Sequence, residues 1–188
     1  MEADWEIEVG GGAPVIEAFW PGFVDLHRRA GHHLAAEIAE ARAFPPLAGL
    51  LQALNSTASP VFTSKCDLWE TGPDEVAGSD ELMTGDIQAA LACYIDLLPV
   101  EGAVFPNLHQ AEEFCRNWVH RLSGVSTPLC RVDLIVRQAI AGPAEGFGVT
   151  AYLGGAGKDR SAAGKALASA MAAFAGAIPA AATTAKAP

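Results

Sequence analysis

Lys65, Asp67, Tyr94, Asp96, Arg131, Asp133, Arg137 and Tyr152 are the residues of this chain best placed to do chemistry together. They lie in four runs that alternate polar with apolar side chains, and a period of two puts every second residue of a strand on one face. Lys65, Asp67 and Trp69 oppose Cys66 and Leu68, while Tyr94, Asp96 and Leu98 oppose Cys93, Ile95 and Leu97. Arg131, Asp133, Ile135 and Arg137 oppose Cys130, Val132, Leu134 and Val136, and Thr150 and Tyr152 oppose Val149, Ala151 and Leu153. One face is therefore expected to be greasy and the other ionic.

An ionic face has three uses. As a solvated outer surface, its cross-strand pairs of opposite charge add ~0.2–1 kcal/mol each. Under a lid made of residues 1–60, its carboxylates and guanidiniums line a pocket for a small anionic ligand, because buried charges must be paired or coordinated. With Trp69, Tyr94 and Tyr152 it forms half of a homodimer interface, where aromatics and Arg are common anchors. The expected function is a binding or assembly protein, homo-oligomeric, working through this face. The alternative is an enzyme acting on a small anionic molecule held between the sheet and the N-terminal segment. Asp67, Asp96 and Asp133 could also hold magnesium beside Lys65, but Arg131 and Arg137 share their face. No cofactor is implied.

Other reactive residues are less organised. His27, His32 and His33 cluster without the i, i+4 spacing of a zinc pair, and His109 and His120 fall off the apolar stripe of their helix. Ser64-Lys65 beside Asp67 is a possible Ser–Lys pair. The acidic run Asp74, Glu75, Asp80, Glu81 and Asp86 lacks the ligand spacing of a calcium loop. Gly10–Gly12 and Gly154–Gly157 lack the spacing of phosphate-binding loops. Cys66, Cys93, Cys115 and Cys130 have no CxxC spacing and are expected to be reduced, buried thiols.

Composition narrows the classes further. The chain has 188 residues, 51% of them hydrophobic and 18% charged, enough for one domain with a real core. Twelve basic against 22 acidic residues give a net charge of −10. That excess opposes nucleic acid and anionic membrane surfaces, both of which need a field of Lys and Arg. The acidic start, Met1 to Glu8, lacks the basic and apolar regions of a secretory signal, so a cytoplasmic location is expected.

The elements that must carry the ionic face follow from periodicity. Val61–Glu70, Ala89–Leu98, Leu129–Ile140 and Phe147–Leu153 read as strands. Leu108, Ala111, Cys115, Trp118, Val119 and Leu122 make one helical stripe, capped by Asn107 and stopped at Gly124. Leu167, Ala170, Met171, Phe174 and Ile178 make another, with Gly154–Gly157 as a loose lead-in. Two strands between single helices favour an α+β two-layer sandwich: a mainly antiparallel sheet with helices on one face. Residues 1–60 are expected as an elaboration: a hairpin from Trp5–Val9 and Val15–Phe19, a helix over 26–43, and a short helix bearing Leu47, Leu50, Leu51 and Leu54. Phe19, Trp20 and Phe23 are expected to pack on the domain, and residues 179–188 to form a tail.

Overall fold

A computed structural model describes residues 1–27, 34–78 and 86–178. His32, His33, Asp80, Glu81 and the expected tail lie outside the described residues. The fold is α+β, with one mixed, mostly antiparallel sheet of six strands and, among the described residues, four α-helices. The strands are β1 (Glu2–Ile7), β2 (Ile16–Glu17), β3 (Val61–Thr71), β4 (Ala89–Pro99), β5 (Cys130–Ala141) and β6 (Ala144–Gly157). The helices are α1 (Ala39–Ala43), α2 (Pro45–Leu54), α3 (Leu108–Leu122) and α4 (Arg160–Gly176). The sheet order is β1-β5-β6-β4-β3, and β2 adds to β5 beyond the end of β1.

The alternation read from the sequence is the alternation of the sheet. Cross-strand register places Cys93 beside Leu68 and Leu153, Ile95 beside Cys66 and Ala151, and Val132, Leu134 and Val136 beside Leu153, Ala151 and Val149. These side chains form the main core with the apolar stripes of α2, α3 and α4. Each fully buried large aliphatic there contributes about 1.5–3 kcal/mol. Trp118 of α3 stacks on Phe174 of α4 at 4.6 Å, locking the two helices together over the sheet. Asn107 and Asp159 cap α3 and α4 by accepting the N–H groups of Gln110 and Ala162.

Four local expectations fail, each for a physical reason. The first two strands are not a hairpin: β1 and β2 both run parallel to β5, spanned by the Gly10–Pro14 turn. Pairing with a distant strand buries the Ala3 and Trp5 side of β1 against the core, which a two-stranded ribbon could not. The helix over 26–43 is interrupted, because Ile38 adopts an extended conformation between a single 3-10 turn, Leu34–Glu37, and α1. Gly154–Gly157 is not a loose lead-in but the end of β6. An added Cβ at Gly155 would lie 2.1 Å from the Leu167 nitrogen, so the absent side chains let α4 rest directly on the strand. Gly124 is not a left-handed stop, since α3 ends on Ser123, whose N–H reaches the Val119 carbonyl.

β1 and β3 are the two edges of the sheet. On each, an aspartate turns back to its neighbour: Asp4 Oδ1 accepts the Trp5 N–H at 2.8 Å, and Asp67 Oδ1 accepts the Leu68 N–H at 2.7 Å.

Candidate functional site

All eight candidate residues lie on the sheet face opposite the helices, and the register shows how they are ordered. One row across the sheet reads Asp67, Tyr94, Tyr152, Asp133, Asp4. The next reads Trp69, Ala92, Gly154, Arg131, Glu2, and the row on the other side holds Asp96, Thr150, Ile135 and Glu6. A β-bulge between Thr63 and Cys66 sets two residues, Ser64 and Lys65, against Asp96.

The ionic face is a band rather than a whole face. At one end Ile16, Ala18 and Phe23 cover Phe62, Leu98 and Ala139 in a small apolar cluster. Residues 18–23 reach this cluster by crossing from the β5 side to β3. Ser64 donates to the Glu17 and Ala18 carbonyls, Trp20 Nε1 donates to the Ser64 carbonyl, and Lys65 Nζ lies 5.4 Å from the Trp20 ring centroid. Phe19 and Phe23 pack on Phe62, although Phe19 stays 54% exposed. At the other end Val76 and Ala77 cover Ala90 and Ala156. The N-terminal segment thus closes one end of the band, while α2 joins the opposite face.

Within the band the charges are already organised. Arg137 donates from Nε and Nη2 to Glu8 Oε2 at 3.0 and 2.6 Å, and from Nη1 to Thr150 Oγ1 and the Tyr152 hydroxyl at 3.3 Å. Thr150 in turn donates to Asp96 Oδ1 at 2.7 Å. Arg131 donates to Asp133 at 2.6 Å and stands 4.0 Å from Glu2. Both guanidiniums are therefore committed to carboxylates. The Asp133 hydrogen bond raises Arg131 above its ordinary value.

Asp96 departs from the expectation of a wet face, being only 6% exposed. Burial pushes its carboxyl above the ordinary value, opposed by the Thr150 hydrogen bond and by Arg137 and Lys65. Burial also raises Tyr94, with Asp96 and Asp67 adding to it. The rings of Trp69, Tyr94 and Tyr152 form a triangle with centroids 6.0–6.4 Å apart, half-buried on the open side of the sheet.

The other candidate chemistries do not assemble. Asp67 and Asp133 are three strands apart in one row, about 14 Å at the usual strand spacing, too far to share an ion. Among the described residues no three His, Cys, Asp or Glu side chains converge on a metal position. The Ser64 hydroxyl is spent on two carbonyls, which removes the Ser–Lys pair. None of the four cysteines is in a disulfide. Burial pushes Cys66 and Cys115 up to about 12 and raises Cys93 as well.

Sequence reading missed Glu2, Asp4, Glu6 and Glu8, which extend the band along β1. Their signal is present in the strict alternation of Glu2-Ala-Asp-Trp-Glu-Ile-Glu8, which continues the period of the other strands. Among the described residues no helix is long and apolar enough to cross a membrane. Neither a protein-family model, nor a curated protein, nor a solved structure matches this chain.

Proposed function

We propose that this is a binding protein whose partner docks on the polar band, over the Trp69–Tyr94–Tyr152 triangle. The observation that carries the reading is the siting of these rings. Three large aromatics stand half-buried on the face away from the helices, where they add nothing to the main core, and sites that recognise other molecules are enriched in such side chains. The charges around them indicate what the partner is not. A second copy of the same band would set Glu2, Asp4, Glu6 and Asp67 against their own kind, which disfavours the homodimer among the assembly readings. For an anionic ligand, the enzyme reading included, both guanidiniums of the band are already paired with carboxylates, Arg131 with Asp133 and Arg137 with Glu8, at 2.6 Å. The band therefore suits a different molecule that brings few negative charges.

Fragment screening by amide chemical shifts tests this reading, with sedimentation equilibrium beside it. Binding fragments should cluster on residues 67–71, 92–96, 131–137 and 150–154, and lose affinity in Tyr152→Ala. Hits confined to other surfaces would overturn the reading. So would a micromolar homodimer that Tyr152→Ala dissociates, since the band would then belong to self-assembly.

A further inference from the structure

A cavity opens in the band over the row Trp69, Ala92, Gly154, Arg131. Its two central positions carry only a methyl group and a hydrogen between a tryptophan and an arginine. Val76 packs directly on Gly154, where an added Cβ would meet it at 2.8 Å, so the open space lies over Ala92 and beside Val76. The neighbouring row supplies Tyr152 as one wall, and Glu75 and Val76 form another. The result is a cavity of about 330 Å³. That is the small end of the usual range for ligand sites, suited to a head group rather than to a drug-sized molecule.

Two properties of the wall select the ligand. Trp69 and Tyr152 meet at 85° with centroids 6.4 Å apart, so their rings form a corner that a compact group can enter. Asp4, Glu6, Glu75 and Asp133 are the lining carboxylates, and the one lining cation, Arg131, is already bonded to Asp133. Aromatic faces attract cations, as Arg137 already shows 5.6 Å from the Tyr152 centroid, and the lining carboxylates have the same sign preference.

Resting on the binding-protein reading above, we infer that this cavity takes a small organic cation, an alkylated ammonium group held between Trp69 and Tyr152 and the carboxylates of β1 and β5. Arg131 acts here as a positioning residue. It fixes the Asp133 carboxylate in the row beside the cavity.

The test is a titration of the full chain with choline, its uncharged carbon isostere and inorganic phosphate, read by the amide shifts of residues 69, 92, 131 and 152–154. Choline should saturate these shifts and the isostere should not. Trp69→Leu should weaken choline about tenfold, the size of a lost cation–π contact in a partly desolvated site, while Tyr152→Phe, which keeps the ring, should bind nearly as well. Asp133→Asn should weaken choline and let phosphate bind the freed Arg131. The three variants alter half-exposed side chains, and their amide spectra report folding directly. Saturation by phosphate alone on the wild type would overturn the cation assignment and leave the band as a binding surface. Equal binding of choline and isostere would also overturn it, because charge would then play no part. No shift from any probe, together with fragment hits lying elsewhere, would remove both readings.

Discussion

Arg137 is the side chain whose loss should be felt most widely, and Arg137→Met tests why. The substitution keeps the length of the stem and deletes the charge. The Arg137 side chain is 11% exposed and that of its partner Glu8 is 42% exposed. Glu8 can return to water, so that ion pair contributes no more than ~1 kcal/mol. The larger loss falls on Asp96, which is 6% exposed and whose charged form Arg137 favours. Stranding a buried carboxylate costs up to ~3–5 kcal/mol, a ceiling that protonation of the group lowers. The hydrogen bonds to Thr150 and Tyr152 at 3.3 Å add little at that length. The expected cost at neutral pH is therefore about 2–4 kcal/mol. Asp96→Asn alone removes a charge that burial already disfavours and can keep the Thr150 contact, so it should change stability by less than ~1 kcal/mol.

In the double variant, Arg137→Met should then cost only about 1 kcal/mol, a coupling of about 1–3 kcal/mol between the two sites. Urea unfolding of the four proteins measures it. The pH dependence has a definite sign. Asp96 has a raised value in the folded state, so the folded protein holds this proton more tightly than the unfolded chain. Its contribution to stability is complete below the ordinary value of 3.8 and is lost as pH rises through the folded value. Removing Arg137 raises that value further and enlarges the loss at neutral pH, so the gap between wild type and Arg137→Met should narrow on acidification. Costs that add within ~0.5 kcal/mol would refute the argument that Arg137 acts through Asp96.

Three further outcomes follow from packing. Gly155→Ala drives a Cβ into the backbone of α4 and should cost about 1–3 kcal/mol or more, whereas Gly49→Ala, exposed in α2 with nothing within 4 Å, should gain about 0.5–1 kcal/mol; thermal unfolding compares the two. Cys66, pushed up to about 12 from 9.0, should present about a thousandfold less thiolate than a free cysteine, so a water-soluble thiol reagent should label it slowly in the folded protein and all four thiols quickly in urea. Cys93→Ser places a hydroxyl in the core beside Leu68 and Leu153, and denaturant unfolding should show a loss of about 1–3 kcal/mol.

The long strands were legible because their period of two is local. From Lys65 onward the alternation of β3 through β6 assigns each side chain to its face, and a helical stripe such as Ala111, Cys115, Trp118 and Leu122 is equally self-contained. The failures have a common cause in distance along the chain. β1 alternates as clearly as β5, but the glycines after it suggest a hairpin, and only its pairing with a strand about 130 residues later settles its place. Gly154–Gly157 has the composition of a loop and the conformation of a strand, because the deciding contact comes from α4. At the site, periodicity could gather eight side chains onto one face. It could not show that Arg137 is tied to Glu8, 129 positions away, or that Asp96 is covered.

The two aspartate turns at Trp5 and Leu68 have a consequence for the crowded protein. A sheet rim with free amides is a template on which another chain can crystallise strand by strand into a fibre. Here each rim carries a plug made from its own sequence, and an incoming strand would have to evict a carboxylate before it could zip on. Growth in the plane of the sheet is hindered at one point on each margin, while the broad sides stay open to other molecules.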